Sequence, residues 1–278
     1  MRGRAQAIGV AILTMVLPLV VWISAAVIGL VALRKSGQDV FVVVGWVALA
    51  ALALLVWQGD PGPLTAVVGI AAAATVLRWT RSWALALLVI VGIGVLSALL
   101  LQWFGSGLIA ELTTALNELL GKLREQMPPD RAQLLGQLAP AQISGLLGLR
   151  SACLTVVALL LARWWQAVLY NPGGFREEFH CLRLSPLVAV GLIGAGGLIS
   201  VFGSEYAFWS ALFALPFVVA GFALIHGTVG IKGWGRGPLI ALYVGWIFMW
   251  EIVTAVLLLL ALIDSWLDFR GRIRSATK

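Results

Sequence analysis

Residues 83–104 have the sequence WALALLVIVGIGVLSALLLQWF, a run of 22 positions without a charged side chain. A transmembrane α-helix needs about 20 predominantly apolar residues to cross the hydrocarbon layer of a bilayer. The apolar side chains follow one another here without the alternation typical of a β-strand. Because backbone N–H groups inside lipid must be satisfied within their own segment, this run predicts a membrane-spanning helix.

The rest of the chain has the same apolar character. Hydrophobic residues make up 61% of the 278 positions and charged residues 11%, with a mean hydropathy of +1.01. A soluble domain is nearer half apolar and about a quarter charged, so lipid has to cover the excess. The predicted fold is therefore all-α, a polytopic transmembrane helical bundle. Seven further runs are candidate spans: 7–33, 40–57, 64–77, 143–170, 186–202, 206–231 and 238–262.

The first of these runs, Ala7–Leu33, resembles a signal peptide because Arg2 and Arg4 precede it. A signal-peptide core has only about 7 to 15 apolar residues, so the longer run predicts a retained membrane anchor. Pro18 lies in its middle, where a proline removes a helix hydrogen bond. The run is therefore either one kinked helix or a hairpin of two short helices, and the predicted number of spans is eight or nine.

The charged residues bear on orientation and on partners. The net charge is +7, but Lys and Arg are scattered at the ends of the apolar runs, which indicates contact with lipid head groups and excludes a concentrated nucleic-acid patch. With eight spans, ten basic residues lie on the side of the chain termini and nine on the other, so the distribution of positive charge does not decide between the two orientations in the membrane. The basic cluster after the last span favours both termini in the cytosol of a bacterium, with the bundle in its cytoplasmic membrane. The ten are residues 2, 4, 122, 124, 131, 150, 270, 272, 274 and 278.

The character of the chain changes between Gly105 and Gln142, which divides it into N-terminal transmembrane helices (1–104), an amphipathic insert (105–142) and C-terminal transmembrane helices with a basic tail (143–278). This pattern predicts an interfacial helix, either a linker that covers the end of the bundle or a lid that docks a partner. Pro128 and Pro129 end it, and Asp130 is placed to cap a second short helix with Leu134, Leu135 and Leu138. The apolar face of the first helix comprises Leu108, Leu112, Leu116, Leu119, Leu123 and Met127.

Glu251 is the candidate intramembrane site residue, because it lies near the centre of the last apolar run. An uncompensated charge there costs at least about 2.5 kcal/mol, so we expect Glu251 to face the interior of the bundle. His226 and Arg150 are its candidate partners. The group is either a substrate, ion or proton site or a structural hydrogen bond between helices, and His226 by itself is also typical of a packed histidine.

Signatures of catalysis are absent from the sequence. It contains no His-Glu-x-x-His, paired-carboxylate or Gly-x-Ser-x-Gly arrangement. Cys153 and Cys181 are far apart and have no metal-ligand spacing. We therefore predict no enzyme activity, no metal site and no cofactor.

Two segments at the ends of spans combine tryptophan with charge. The first runs from Arg163-Trp164-Trp165-Gln166 to Asn171-Pro172-Gly173-Gly174, where proline and glycines predict a turn into a short interfacial helix. In the second, residues 262–270 are predicted to continue the last helix beyond the bilayer, with Asp268 and Arg272 on one face. Both segments either anchor the bundle or dock a cytosolic protein partner. Their candidate residues are Arg163, Trp164, Trp165, Asn171, Arg176, Asp264, Trp266, Asp268 and Arg270.

These two segments also carry a resemblance. Asp264-x-Trp266-x-Asp268-Phe269-Arg270 after a long final helix, together with residues 163–175, resembles the YybS-like family of bacterial polytopic membrane proteins over essentially the whole chain. That family is distantly similar to the substrate-binding S components of energy-coupling-factor transporters. S components capture vitamins or metal ions within a small helical bundle and dock on a shared membrane partner through small residues of the first helix. The resemblance places Ala7 and Ala11 at such a docking position.

The sequence thus predicts a membrane protein of one of two classes. The first is an S-component-like protein that binds or transports a small molecule, which Glu251 and the resemblance favour. The second is a non-transporting scaffold or assembly factor that docks a protein partner, which the amphipathic insert and the charged ends of spans favour.

Overall fold

A computed structural model describes residues 4–15, 21–35, 37–133 and 135–276 of the chain. Within these ranges the regular structure consists of α-helices and one 3-10 helix, without a β-strand. The predicted all-α class is confirmed. The α-helices of these residues are α1 (Arg4–Met15), α2 (Val21–Arg34), α3 (Gln38–Gln58), α4 (Gly62–Thr80), α5 (Trp83–Phe104), α6 (Ser106–Glu125), α7 (Pro129–Ala132), α8 (Pro140–Tyr170), α9 (Gly174–Cys181), α10 (Pro186–Ser200), α11 (Ala207–Lys232), α12 (Gly237–Phe248), α13 (Trp250–Leu267) and α14 (Phe269–Ala276).

Six of these helices, α3, α4, α5, α8, α11 and α13, are long and apolar enough to cross a membrane. A seventh span is formed if α9 and α10, which are bent by 68° at their junction, count as one. The protein is therefore a multi-pass helical bundle. The number of spans is six or seven rather than eight or nine, because α1, α2 and α12 have only 12, 14 and 12 residues.

The first apolar run is a helical hairpin. Ser24 Oγ in α2 donates a hydrogen bond of 2.7 Å to the carbonyl oxygen of Ala11 in α1. In one continuous helix these residues would lie about 20 Å apart, so the chain turns back between α1 and α2. Pro18 falls outside the described residues. Ala7 and Ala11 are buried within the bundle, which contradicts the docking position that the resemblance gives them.

Helix α8 is the centre of the bundle and contacts α2, α4, α5 and α11. Where α8 crosses α5, Gly148 lies so close to Gly94 that a Cβ atom on Gly148 would sit 2.6 Å from the Gly94 carbonyl oxygen. Helix association in lipid depends on such close backbone packing, because apolar burial does not distinguish a neighbouring helix from lipid tails. Glycine at this crossing therefore determines how deeply α8 enters the bundle.

The last apolar run is also broken. Helices α12 and α13 form a second hairpin that turns at Met249, and Trp246 Nε1 in α12 donates a 3.0 Å hydrogen bond to Thr254 Oγ1 in α13. Helix α12 would span only about 18 Å, too short to cross the hydrocarbon layer. The predicted single span over 238–262 is therefore wrong.

The amphipathic insert covers one end of the bundle. Ile109 of α6 is buried against Leu101 of α5 and Ile143 of α8, with Leu108 and Leu112 beside it. Residues 135–139, between α7 and α8, form no helix. The Asn117 side chain of α6 holds this segment by hydrogen bonds to both the N–H and the carbonyl oxygen of Leu138, at 2.8 and 3.0 Å.

The predicted second helix of the insert differs in the structure. Helix α7 has only four residues and ends at Ala132, so it includes neither Leu135 nor Leu138, while Leu134 lies outside the described residues. Pro128, not Asp130, occupies its N-cap, and Asp130 falls within the first turn. The proline pair thus fixes where this helix begins, and the helix ends after one turn at Ala132.

The two ends of the bundle differ in charge. Of the described Lys and Arg residues, thirteen lie at what we call the basic end, namely Arg4, Arg34, Lys35, Arg78, Arg81, Arg163, Arg176, Arg183, Lys232, Arg236, Arg270, Arg272 and Arg274. The acids at this end are Asp39, Glu177, Glu178, Asp264 and Asp268. The opposite, acidic end combines four basic residues, Lys122, Arg124, Arg131 and Arg150, with the acids Asp60, Glu111, Glu118, Glu125, Asp130 and Glu205.

Candidate functional site

Glu251 does not face the interior of the bundle, so the corresponding expectation is wrong. It lies in the first turn of α13, and its side chain is exposed, like that of Trp250, which is 62% accessible. Because the run is broken at Met249, Glu251 is near the tip of a hairpin on the outside of the bundle. It has no ion pair or hydrogen bond with His226 or Arg150 in the described part of the chain.

His226 is a structural link between α11 and α12. Its Nδ1 lies 2.9 Å from the carbonyl oxygen of Phe222, and its Nε2 lies 3.2 Å from the Tyr243 hydroxyl. A carbonyl oxygen only accepts, so Nδ1–H is the donor to Phe222, and in the tautomer protonated at Nδ1 alone Nε2 accepts from the Tyr243 hydroxyl. Since Gly221 contacts Leu257 on parallel helices, His226 and Glu251 lie about 16 Å apart along the bundle axis.

Arg163 joins α8 to the interfacial helix α9. Its guanidinium group is buried and donates two hydrogen bonds to the carboxylate of Glu178, with Nε 2.9 Å from Oε2. A bidentate pair of this kind fixes both the distance and the orientation of its partners. The predicted interfacial Arg163 therefore holds α9 against the basic end of the bundle.

Asp264 and Arg270 form a buried ion pair, with Nη2 and Oδ2 2.8 Å apart. The remaining donors of Arg270 bind the carbonyl oxygens of His180 and Leu182, both at 2.8 Å. Asp264 is 2% and Arg270 5% exposed, so neither side chain is available at the surface for docking, and the predicted anchoring or docking role of this segment stays a prediction. The pair instead fastens the end of α13 to the junction between α9 and α10.

Asp268 ends α13 rather than continuing it, which corrects the predicted uninterrupted helix. Its backbone is left-handed, with φ of 47°, and its carboxylate lies 3.0 Å from Nη1 of Arg183 instead of pairing with Arg272. Burial raises the pKa of Asp268, but the N–H of Gly271 and the charge of Arg183 outweigh it and hold that pKa below its ordinary value. Arg272 donates to the carbonyl oxygen of Leu267.

The other predicted interfacial residues lie at the surface of the basic end. Trp164 and Trp266 are about half exposed, and Trp165 packs on the hydrophobic core. Asn171 follows the last residue of α8, and Arg176 is an exposed residue of α9. Their role in anchoring or docking stays a prediction.

A cavity that the sequence did not predict lies near the acidic end. It has a volume of about 210 Å³ between α2, α4, α5, α6 and α8, and Leu108 and Leu112 of α6 close it on one side. We call it the acidic-end cavity. Its polar lining residues are Asp60, Ser97, Arg150, Ser151 and Thr155.

Two of these polar groups have no internal partner. Asp60 accepts a 2.8 Å hydrogen bond from the N–H of Gly62, and Ser97 accepts one of 3.2 Å from Thr65. In contrast, Ser151 Oγ is buried without a hydrogen bond, and Arg150 has neither a side-chain hydrogen bond nor an ion pair, within the ranges that the structure covers. A buried hydroxyl left unpaired costs about 1–3 kcal/mol, so the cavity offers a donor and a cation to a ligand.

The polar groups of the acidic-end cavity are suited to an anionic ligand. Among the residues placed by the structure, no group of three or more His, Cys, Asp and Glu side chains is positioned to hold a metal ion. Arg150 and Ser151 together suit a carboxylate or phosphate group. Comparison of the chain with protein-family models, with curated proteins and with solved structures finds no match.

Proposed function

We propose that the protein binds, and as a transporter subunit delivers, a small anionic molecule held in the acidic-end cavity. The observation that carries this proposal is the pairing of an unpartnered guanidinium, Arg150, with an unpartnered buried hydroxyl, Ser151, in one cavity. An arginine fork matches the geometry of a carboxylate or phosphate. Leu147 and Leu154 form apolar walls beside these two groups, which suits the carbon skeleton of such a ligand.

The size of the cavity restricts the ligand. Its volume of about 210 Å³ lies below the 300–1,000 Å³ typical of sites for drug-sized molecules. A small metabolite with one acidic group fits better than a nucleotide or a lipid. Leu108 and Leu112 of α6 cover one side of the cavity, and on another side the exposed Arg150 leaves it open to an entering ligand.

The topology that we propose has six crossings, namely α3, α4, α5, α8, the bent pair α9–α10, and α11. Helix α13 is long enough to cross but returns with α12 to the basic end, so α1–α2 and α12–α13 are hairpins that enter and leave at that end. Basic residues concentrate on the cytosolic side of membrane proteins, so the basic end faces the cytosol of a bacterial cell. The acidic-end cavity then opens away from the cytosol. Six crossings are usual for S components, and this number supports the resemblance.

The proposal is tested by ligand-dependent thermal stabilisation of the purified protein against a panel of small carboxylates, phosphates and anionic vitamins. A ligand present at 100 times its dissociation constant adds about 2.7 kcal/mol to stability. We expect Arg150→Gln and Ser151→Ala to reduce or abolish the stabilisation. Arg131→Gln removes the same charge from the same end, outside the cavity, and is expected to respond as the original protein does.

Either of two results contradicts the proposal. One is a broad panel in which no anion raises the melting temperature. The other is a stabilising ligand that binds Arg150→Gln as tightly as the original protein. Circular dichroism of each variant distinguishes lost binding from lost folding.

The alternative function, a scaffold or assembly factor, is favoured by the position of Glu251. This acid lies among the exposed side chains of Phe248, Met249 and Trp250 and has no partner among the described residues, and a neighbouring membrane protein would supply one. Site-specific crosslinking from position 251 in native membranes is expected to yield a defined heteromeric product under this alternative. The absence of such a product, combined with a stabilising anion, favours the binding function.

A further inference from the structure

A second cavity, of about 670 Å³, lies at the basic end between α8, α9, α11 and α12. Its polar lining consists of Arg176, His180, His226, Arg236 and Tyr243. We call it the basic-end cavity. No Asp or Glu is among its lining residues, so its charge is positive.

The two arginines of this cavity have no carboxylate partner, unlike the arginines that fasten α9 and α13 to the bundle. Arg163, Arg183 and Arg270 each pair with a carboxylate. Arg176 and Arg236 have no ion pair and no side-chain hydrogen bond to any residue that the structure describes. Both residues are exposed and line the same cavity, so an anion that enters it meets two guanidinium groups that no carboxylate occupies.

The walls of the basic-end cavity are apolar. Phe175 and Phe179 stack with their ring centroids 5.6 Å apart beside Arg176, and Leu160 and Leu239 complete the lining. A free inorganic anion gains nothing from such walls. An amphiphile that joins an anionic head to a hydrocarbon tail satisfies both parts of the cavity.

The cavity also opens towards lipid. Tyr243 lines it and is 44% exposed, on the same surface of α12 as the exposed side chains of Ile240 and Ile247. This surface is apolar and lies on a helix embedded in the bundle's periphery, so it faces hydrocarbon. A lipid therefore reaches the cavity sideways from the bilayer, without leaving it.

We propose that the basic-end cavity binds the head group of an anionic phospholipid. The phosphate lies between Arg176 and Arg236, and an acyl chain follows Leu239 and Tyr243 into the bilayer. Gly230 makes room for the head-group side of the cavity, because a Cβ atom there would lie 2.9 Å from Cε1 of His180. The bound lipid connects α9 to α12, which the described residues join through few direct contacts.

The test uses the full-length protein in detergent, with thermal stability measured against dioleoyl phosphatidylglycerol and dioleoyl phosphatidylcholine. We expect the anionic lipid to raise the melting temperature and the zwitterionic lipid to leave it unchanged. Arg176→Gln and Arg236→Gln are each expected to weaken apparent affinity for phosphatidylglycerol about tenfold, since a charge-assisted hydrogen bond is worth about one factor of ten or more. Glycerol phosphate and inorganic phosphate, added separately, identify the contribution of the head group alone.

The control removes two charges from the same end but outside the cavity, as Arg272→Gln with Arg274→Gln, and should retain the affinity of the original protein. The proposal is overturned if phosphatidylcholine stabilises equally, if inorganic phosphate stabilises as strongly as the lipid, or if the control loses as much affinity as the cavity variants. Each single variant is checked for an unchanged melting temperature without lipid. Arg150→Gln, at the opposite end, should bind phosphatidylglycerol normally, which separates this proposal from the function proposed above.

Discussion

At the scale of single residues, the buried pair of Asp264 and Arg270 is the strongest constraint on the basic end. Removing one member of a buried ion pair costs about 3–5 kcal/mol, because the other charge is left without compensation in a poorly solvated site. We therefore expect Asp264→Asn to lower the free energy of unfolding by about 3 kcal/mol. Denaturant titration in detergent measures the change.

The control for this prediction is Asp268→Asn, which breaks the half-exposed pair with Arg183. A pair in contact with solvent contributes about 0–1 kcal/mol, so this variant should remain close to the original stability. If the two variants lost the same free energy of unfolding, the distinction between buried and exposed ion pairs at this end would be contradicted.

The sequence singled out Asp264 and Arg270 but did not predict their pairing. A continuous helix brings residues four apart together, which led to the expected pair of Asp268 with Arg272. The left-handed backbone of Asp268 instead turns Arg270 back over Asp264. No glycine marks this turn, so the sequence carries no conventional signal for it.

The same limit explains the misplacement of Glu251 and the missed cavity. Met249, where the last run breaks, is neither glycine nor proline, and the run therefore looked continuous. Arg150 was recognised as a candidate, but Ser151 became one only when the structure showed that its hydroxyl lacks a partner. Burial of a small polar side chain cannot be inferred from hydropathy, because serine is common on both exposed and buried helix faces.

At the scale of helices, the crossing of α5 and α8 depends on backbone contact. A Cβ atom on Gly148 would approach the Gly94 carbonyl oxygen to 2.6 Å and Ala98 Cβ to 2.8 Å. The backbone cannot move aside as a flexible side chain does, so Gly148→Ala must separate the two helices. We expect a loss of about 1–3 kcal/mol, the range for overpacked cores, measured as a lower denaturation midpoint.

Gly92→Ala on α5 is the matched control, because a Cβ atom there meets no atom within 4 Å. Alanine has the higher helix propensity, so this variant should be neutral or slightly more stable. A destabilised Gly92→Ala with an unaffected Gly148→Ala would show that the helices cross elsewhere.

At the scale of the whole molecule, the two hairpins determine which charged residues lie at each end of the bundle. Thirteen described basic residues lie at one end and four at the other, whereas counting each apolar run as a crossing gave ten against nine. If the first hairpin is counted as one crossing, every following loop up to the last apolar run is assigned to the wrong side of the membrane relative to the N-terminus. Counting the last hairpin as a crossing then reverses the assignment again. The polytopic helical class thus followed from composition, but the orientation required the tertiary contacts that reveal the hairpins.

This arrangement predicts that the insert and the C-terminal tail lie on opposite sides of the membrane. In a background without Cys153 and Cys181, we expect Gln133→Cys to react with a membrane-impermeant maleimide added outside intact spheroplasts. Thr80→Cys and Ser275→Cys should react only after the membrane is permeabilised. Protection of Gln133→Cys together with Ser275→Cys would restore the alternative in which each apolar run crosses.

The α1–α2 hairpin also affects how the chain enters the bilayer during synthesis. Because its two arms return to one face, the hairpin does not set the orientation of the helices that follow, and α3, with Arg34 and Lys35 immediately upstream, is the first described helix that crosses. The helices that bury α2, namely α4 and α8, are synthesised after it, so the hairpin reaches its final packing only once they have been inserted.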